Sequence, residues 1–254
     1  MKHLKIFIGA LVALFFVSCL EISEEVELKP DGSGQITVDT DMSKMIEMLK
    51  SFASEEDLKK EGMEKSMDTT IMMRSYLDTA SDVSPETKEL MRDGVLNMKM
   101  NMQENIFKLN MKVPFKNAAQ VNKLMEAMNQ NNFMNNAFKG LGGGANGQGG
   151  GESSGIDKLG SVYDVKLTDS RYSRTLNKAR YDSLMADPKL AEVKGMLGMM
   201  DEMMYTLTVK TPRPVKSVSN PKAVIADNKR SVTLKGGLMQ AIDSPQNLEL
   251  VIEY

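Results

Sequence analysis

The side chains most often recruited for catalysis or metal binding are almost missing from this chain. Histidine occurs once, at His3, and cysteine once, at Cys19, both close to the N-terminus. A Ser/His/Asp triad, a Cys/His pair and a His- or Cys-ligated zinc or haem site would all need residues that the rest of the sequence does not contain. Carboxylates are plentiful, 34 Asp and Glu against 32 Lys and Arg, but no spacing singles out a pair for acid–base work, and they read as a solvated acidic surface. Methionine is the residue present in excess, with 23 copies. Met196, Met199, Met200, Met203 and Met204 cluster on one predicted helix, and thioethers suit a soft ion such as Cu(I). With no His or Cys beside them, core filling is the stronger reading. Between the two stands a Met-lined cavity or contact surface, where flexible, polarizable side chains adapt to a lipid or to another protein. The sequence therefore predicts a non-enzymatic protein with no catalytic residues, no metal and no cofactor.

The chemistry that remains is that of Cys19 itself. Lys2 and Lys5 form a short basic start, an apolar run of about a dozen residues covers 6–17, and Ser18 supplies the small residue of a cleavage site. The run is too short to cross a bilayer of ~30 Å. The stretch Phe16-Val17-Ser18-Cys19-Leu20 resembles the lipobox of bacterial lipoproteins, with Phe16 standing where that family usually has Leu. The resemblance implies cleavage before a diacylglycerol-modified Cys19, hence a signal peptide at 1–18, a lipidated tether at 19–23 and a membrane as partner through the acyl anchor. The alternative is an ordinary secretory signal that happens to hold a cysteine. Loss of residues 1–18 removes Lys2 and Lys5 and takes the formal net charge from −2 to about −4, which argues against nucleic acid as a partner. Leu20 stands where, in enterobacterial lipoproteins, Asp favours inner-membrane retention, so the resemblance implies the outer membrane, on its periplasmic or its surface face.

The elements that follow must be β and α in alternation. With 41% apolar residues the chain can build a real core. Residues 24–28, the turn chemistry of Pro30-Asp31-Gly32-Ser33-Gly34 and residues 35–41 predict a β-hairpin. Ser43 is a candidate N-cap for a helix to about Ala53, and residues 54–83 are hard to read, although Ile71, Met72, Tyr76 and Leu77 suit a short amphipathic piece. Ser84-Pro85 opens a brief helix that ends at Gly94. A second hairpin alternates cleanly through Leu96, Met98, Met100 and Met102, then Phe107, Leu109, Met111 and Val113, with Asn97, Lys99, Lys108 and Lys112 on the wet side. Asn117 caps a helix with the stripe Ala118, Val121, Leu124, Met125 and Met128. Residues 140–155 are rich in Gly, Ser, Asn and Gln, a composition that predicts a flexible, disordered loop. Strands are expected at 162–168 and 171–176, a helix with Leu190, Val193, Leu197, Met200 and Met204 after Asp187-Pro188, and strands through Tyr205, Val232 and Leu248 to Tyr254. The expected architecture is α+β: one domain over 24–254, an antiparallel sheet built from hairpins and covered by amphipathic helices.

Two stretches, Val26-Glu27-Leu28-Lys29-Pro30-Asp31-Gly32-Ser33-Gly34 and Pro214-Val215-Lys216-Ser217-Val218-Ser219-Asn220 with Ser231-Val232-Thr233-Leu234, resemble the LppM-type lipoprotein domain family. That resemblance implies an envelope lipoprotein with an apolar cavity for lipid. The scarce arginine, the Asn- and Met-rich middle and the absent tryptophan resemble lipoproteins of Bacteroidetes-like bacteria. In those, acids soon after the cysteine, here Glu21, Glu24 and Glu25, mark export to the cell surface. The residues expected to face an apolar ligand are Met98, Met100, Met102, Met111, Leu124 and Met128. The alternative is a structural or assembly lipoprotein that contacts other envelope proteins through an apolar surface.

Overall fold

In the computed structural model the described residues are 21–52, 66–80, 83–130, 160–188, 190, 194–195 and 203–254. Cys19, the stretch 1–18 expected to be a signal peptide and residues 140–155 lie outside them. Period-two alternation produces the strands β1 (Glu21–Leu28), β2 (Gly34–Asp41), β3 (Met67–Met72), β4 (Val95–Asn101), β5 (Ile106–Phe115), β6 (Tyr163–Leu167), β7 (Arg171–Leu176) and β8 (Met204–Lys210). Short strands β9 (Ser217–Val218) and β10 (Val224–Ile225) follow, then β11 (Ser231–Gly237) and β12 (Leu250–Glu253). The helices are α1 (Ser43–Phe52), α2 (Met73–Leu77), α3 (Pro85–Met91), α4 (Ala118–Gln130), α5 (Lys178–Met185) and α6 (Leu238–Asp243).

The strands form two sheets and not the single sheet expected from sequence. Eight strands run in the order β10-β11-β8-β1-β2-β5-β4-β3 and four in the order β6-β7-β12-β9. Among the described residues every pairing is antiparallel except β1 with β8, which lie parallel and bring residues more than 180 positions apart into register, Glu21 beside Met204 and Glu27 beside Lys210. A parallel neighbour needs a long crossover, which hairpin-by-hairpin reading cannot supply. The fold is α+β, with largely antiparallel sheets.

Local chemistry explains most boundaries. At the β1–β2 turn Gly32 takes φ +83°, the left-handed region that glycine enters freely, and the Asp31 carboxylate accepts from the Ser33 amide and hydroxyl. Gly34 is required for another reason: a Cβ there would collide with the Glu27 carbonyl and the Phe115 ring. Ser84 caps α3 by accepting from the Thr87 amide, with Pro85 next to it, and Asn117 accepts from the Gln120 amide at the start of α4. In the β4–β5 hairpin the two expected apolar faces meet, Leu96 opposite Met111, Met98 opposite Leu109 and Met100 opposite Phe107.

Several expectations are corrected. β1 begins at Glu21, so residues 21–23 belong to the sheet and not to a free tether. Ile71 and Met72 end a strand on the sheet edge, and only Tyr76 and Leu77 are helical. Met204 opens β8 and is no part of a preceding helix stripe. Leu248 closes a short 3-10 turn ahead of the last strand. The main core joins Val26, Ile36 and Val113 of the large sheet with Tyr172, Leu250 and Ile252 of the small one and with Val121 and Leu124 of α4. A second, smaller cluster gathers Ile46, Met98, Met102, Phe107 and Leu109.

Candidate functional site

The six residues expected to face a ligand do not line one space. Met111 and Leu124 are buried in the main core, with Met128 packed against it. Met98 and Met102 are buried in the smaller cluster, with Met100 beside them. The hairpin face is continuous in sequence, but the sheet is long enough for its two ends to be covered by different elements, and that divides the set. Leu190, from the expected helix, is buried in the main core, whereas Met196, Met199 and Met200 lie outside the described residues. Among the described residues no group of three or more His, Cys, Asp or Glu is placed to hold a metal, and no helix is long and apolar enough to cross a membrane, which says nothing of a β-barrel.

One charged centre sits inside the core. Arg174 of β7 is 2% exposed and Glu24 of β1 8%, so this pair spans the space between the two sheets. Arg174 Nη1 donates to Glu24 Oε2 at 3.2 Å and to the Tyr205 hydroxyl at 2.9 Å, and Tyr205 itself donates to Glu24 Oε2 at 2.5 Å. The guanidinium lies 4.2 Å from the centroid of the Tyr163 ring and 5.3 Å from that of Tyr205, within range of cation–π attraction. Burial works against the Arg174 charge, but the oxygens of Tyr205, Glu24, Tyr172 and Tyr163 more than offset it, and its pKa lies above the ordinary guanidinium value. Burial also raises the phenols, Tyr163 to about 12 and Tyr205 well above its usual range, keeping them neutral donors. Among the described residues Glu24 Oε1 and Arg174 Nε have no hydrogen-bond partner. Sequence reading missed this centre, although a signal existed: Glu24 falls on the inward parity of Ile22, Val26 and Leu28, and Arg174 on that of Tyr172. An ionised side chain on an apolar parity implies a buried partner.

The opposite face of the large sheet is polar across nearly its whole width. Residues paired directly across strands share a face, and the register aligns Thr70, Asn97, Asn110, Asp39, Ser23, Thr206 and Lys235 in one row over seven strands. Within it Thr70 donates to Asn97, Asn97 to Asn110 and Asn110 to Asp39. The next row holds Asp68, Lys99, Lys108, Asp41 and Glu21, with Lys108 and Asp41 2.9 Å apart. Burial pushes Asp41 up, but the bonds from Ser43 and Lys108 outweigh it and hold its carboxyl below the usual value. A shallow depression of about 460 Å³ opens between the two rows, lined by Glu21, Asp39, Asp68, Asn97, Lys99 and Asn110 among others. A second, of about 390 Å³, lies between α3 and α4 around the Lys123–Glu86 ion pair. Several polar side chains of this face bond to one another across the strands.

Compared with protein families, with curated proteins and with solved structures, the chain gives no match.

Proposed function

We propose that the protein is a non-enzymatic bacterial envelope lipoprotein, held by acyl chains on Cys19, whose folded part makes contact with other envelope components. The observation that carries this reading is the position of the chain's one thiol: it closes a basic, apolar, small-residue stretch and stands two residues before Glu21, where the large sheet begins. The outer membrane, on its periplasmic or surface face, is the proposed location. Of the two roles weighed from sequence, the structural or assembly role has the better geometric support. The polar sheet face offers a broad contact area, and its surface is polar rather than the apolar one expected. The lipid-binding role draws its support from the methionine-rich clusters and from the likeness of both chain ends to the LppM-type domain. In this reading residues 24–254 form one domain, amphipathic helices shelter the apolar side of the sheet, and residues 140–155 are a flexible loop within it.

Cys19→Ala tests the anchor. The parent should incorporate labelled palmitate and sediment with membranes; the variant should lose the label and either become soluble or stay unprocessed. A variant that is cut and membrane-bound like the parent would overturn the proposal.

A further inference from the structure

The end of the large sheet at which β1 starts is built differently from the rest of the molecule. Past Glu21, which pairs with Asp41 and through it with Lys108, the β4–β5 hairpin continues for two more residues of β5 and then the turn at 102–105, with Met67 of β3 still paired to Met100. There α1 folds over the hairpin. The Met42 amide donates to the Phe107 carbonyl, the Phe107 amide to Ser43 Oγ, and Lys50 Nζ reaches Asn105 Oδ1 of the turn at 2.6 Å. Beneath α1 lies the smaller apolar cluster, distinct from the main core, around which Met42, Met67 and Met100 remain partly exposed; Ile106, also partly exposed, pairs with Asn101 on the other face of the hairpin. The rim carries both signs, Lys44, Lys50 and Lys99 against Glu21, Asp68 and Glu104, so it shows no preference for an anionic partner.

We propose that this end, the turn at 102–105 together with α1, rests on the bilayer and takes zwitterionic lipid into contact with its partly exposed methionines and Ile106. The proposal rests on the lipid-anchor reading. Two residues of extended chain span at most ~7 Å, so an acyl group on Cys19 brings this end, and not the distant β1–β2 turn, to the membrane surface. The strand of eight residues from Glu21 to Leu28 sets that turn ~26 Å farther along the sheet at about 3.3 Å per residue. Partly exposed apolar side chains beside a tethered surface bury into the headgroup boundary, an interaction that scales with apolar area and survives salt when charge is not its source.

Absence of tryptophan from the chain makes single-Trp reporters possible. Gln103→Trp and Glu104→Trp place one in the turn, and Lys29→Trp places one at the far end; all three positions are exposed. The mature chain from residue 19, coupled through Cys19 to maleimide-lipid in phosphatidylcholine vesicles, is read by brominated-lipid quenching, with circular dichroism reporting the fold. Emission from both turn reporters should be roughly halved and stay so in high salt, while the Lys29→Trp signal is unchanged. Equal quenching at both ends, or none in the turn while the protein is vesicle-bound, overturns the proposal. Coupling through the thiol does not depend on enzymatic lipidation. Turn quenching with no palmitate incorporation in cells would therefore reject the anchor reading and leave the contact intact, whereas incorporation without quenching would do the reverse.

Discussion

Glu24 occupies a position in β1 that an apolar residue could fill, and its carboxylate is tolerated there because Arg174 and Tyr205 both bond to it. Buried pairs gain little net stability, since desolvation offsets the attraction, but removing one partner strands the other charge. Arg174→Met should therefore cost about 3–5 kcal/mol, and pairing it with Glu24→Leu should return most of that loss. Urea unfolding of the parent, the single and the double variant decides this; a single variant as stable as the parent would refute it. This centre was only half legible from sequence. Parity marks Glu24 and Arg174 as anomalies within their own strands, but no local feature says that residues 150 positions apart meet, because the two sheets are brought together by packing and not by any motif.

At the scale of the element, hairpins were the most readable part of the chain. The 96–113 hairpin and the turn at 29–34 are specified by alternation and by turn residues that demand particular backbone geometry, and those signals act over a few residues. Gly34 shows where local reading stops. Its place in a turn-like run suggested backbone freedom, whereas the structure assigns it a steric role against Glu27 and Phe115. Gly34→Ala should destabilise by about 1–3 kcal/mol through overpacking, read as a lower thermal midpoint; an unchanged midpoint would show that β2 can move off β5 without cost. β3 was missed because its run, Met-Asp-Thr-Thr-Ile-Met, is an edge strand with a single partner, β4, and an edge strand has no need of a clean apolar face.

Across the molecule, the β1–β8 pairing joins parts of the chain that are far apart in sequence. Seven residues of β1 lie beside seven of β8, so the chain before residue 140 and the chain after 155 contribute neighbouring strands to one sheet. Limited proteolysis should cut first within the Gly-rich 140–155 stretch, and the two fragments should co-elute on gel filtration in native buffer. Fragments that separate into two folded pieces would overturn the single-domain reading. Residue type and spacing alone carried the scarcity of His and Cys, the α+β class and the main hairpins, since each depends on composition or on contacts a few positions apart. Only the tertiary structure decided that there are two sheets, that one pairing is parallel, that the methionines of one hairpin face divide between two clusters, and that Glu24 is a core residue. Those outcomes depend on which distant surfaces exclude water against each other, and the period of a strand carries its facing side but not the identity of what will cover it.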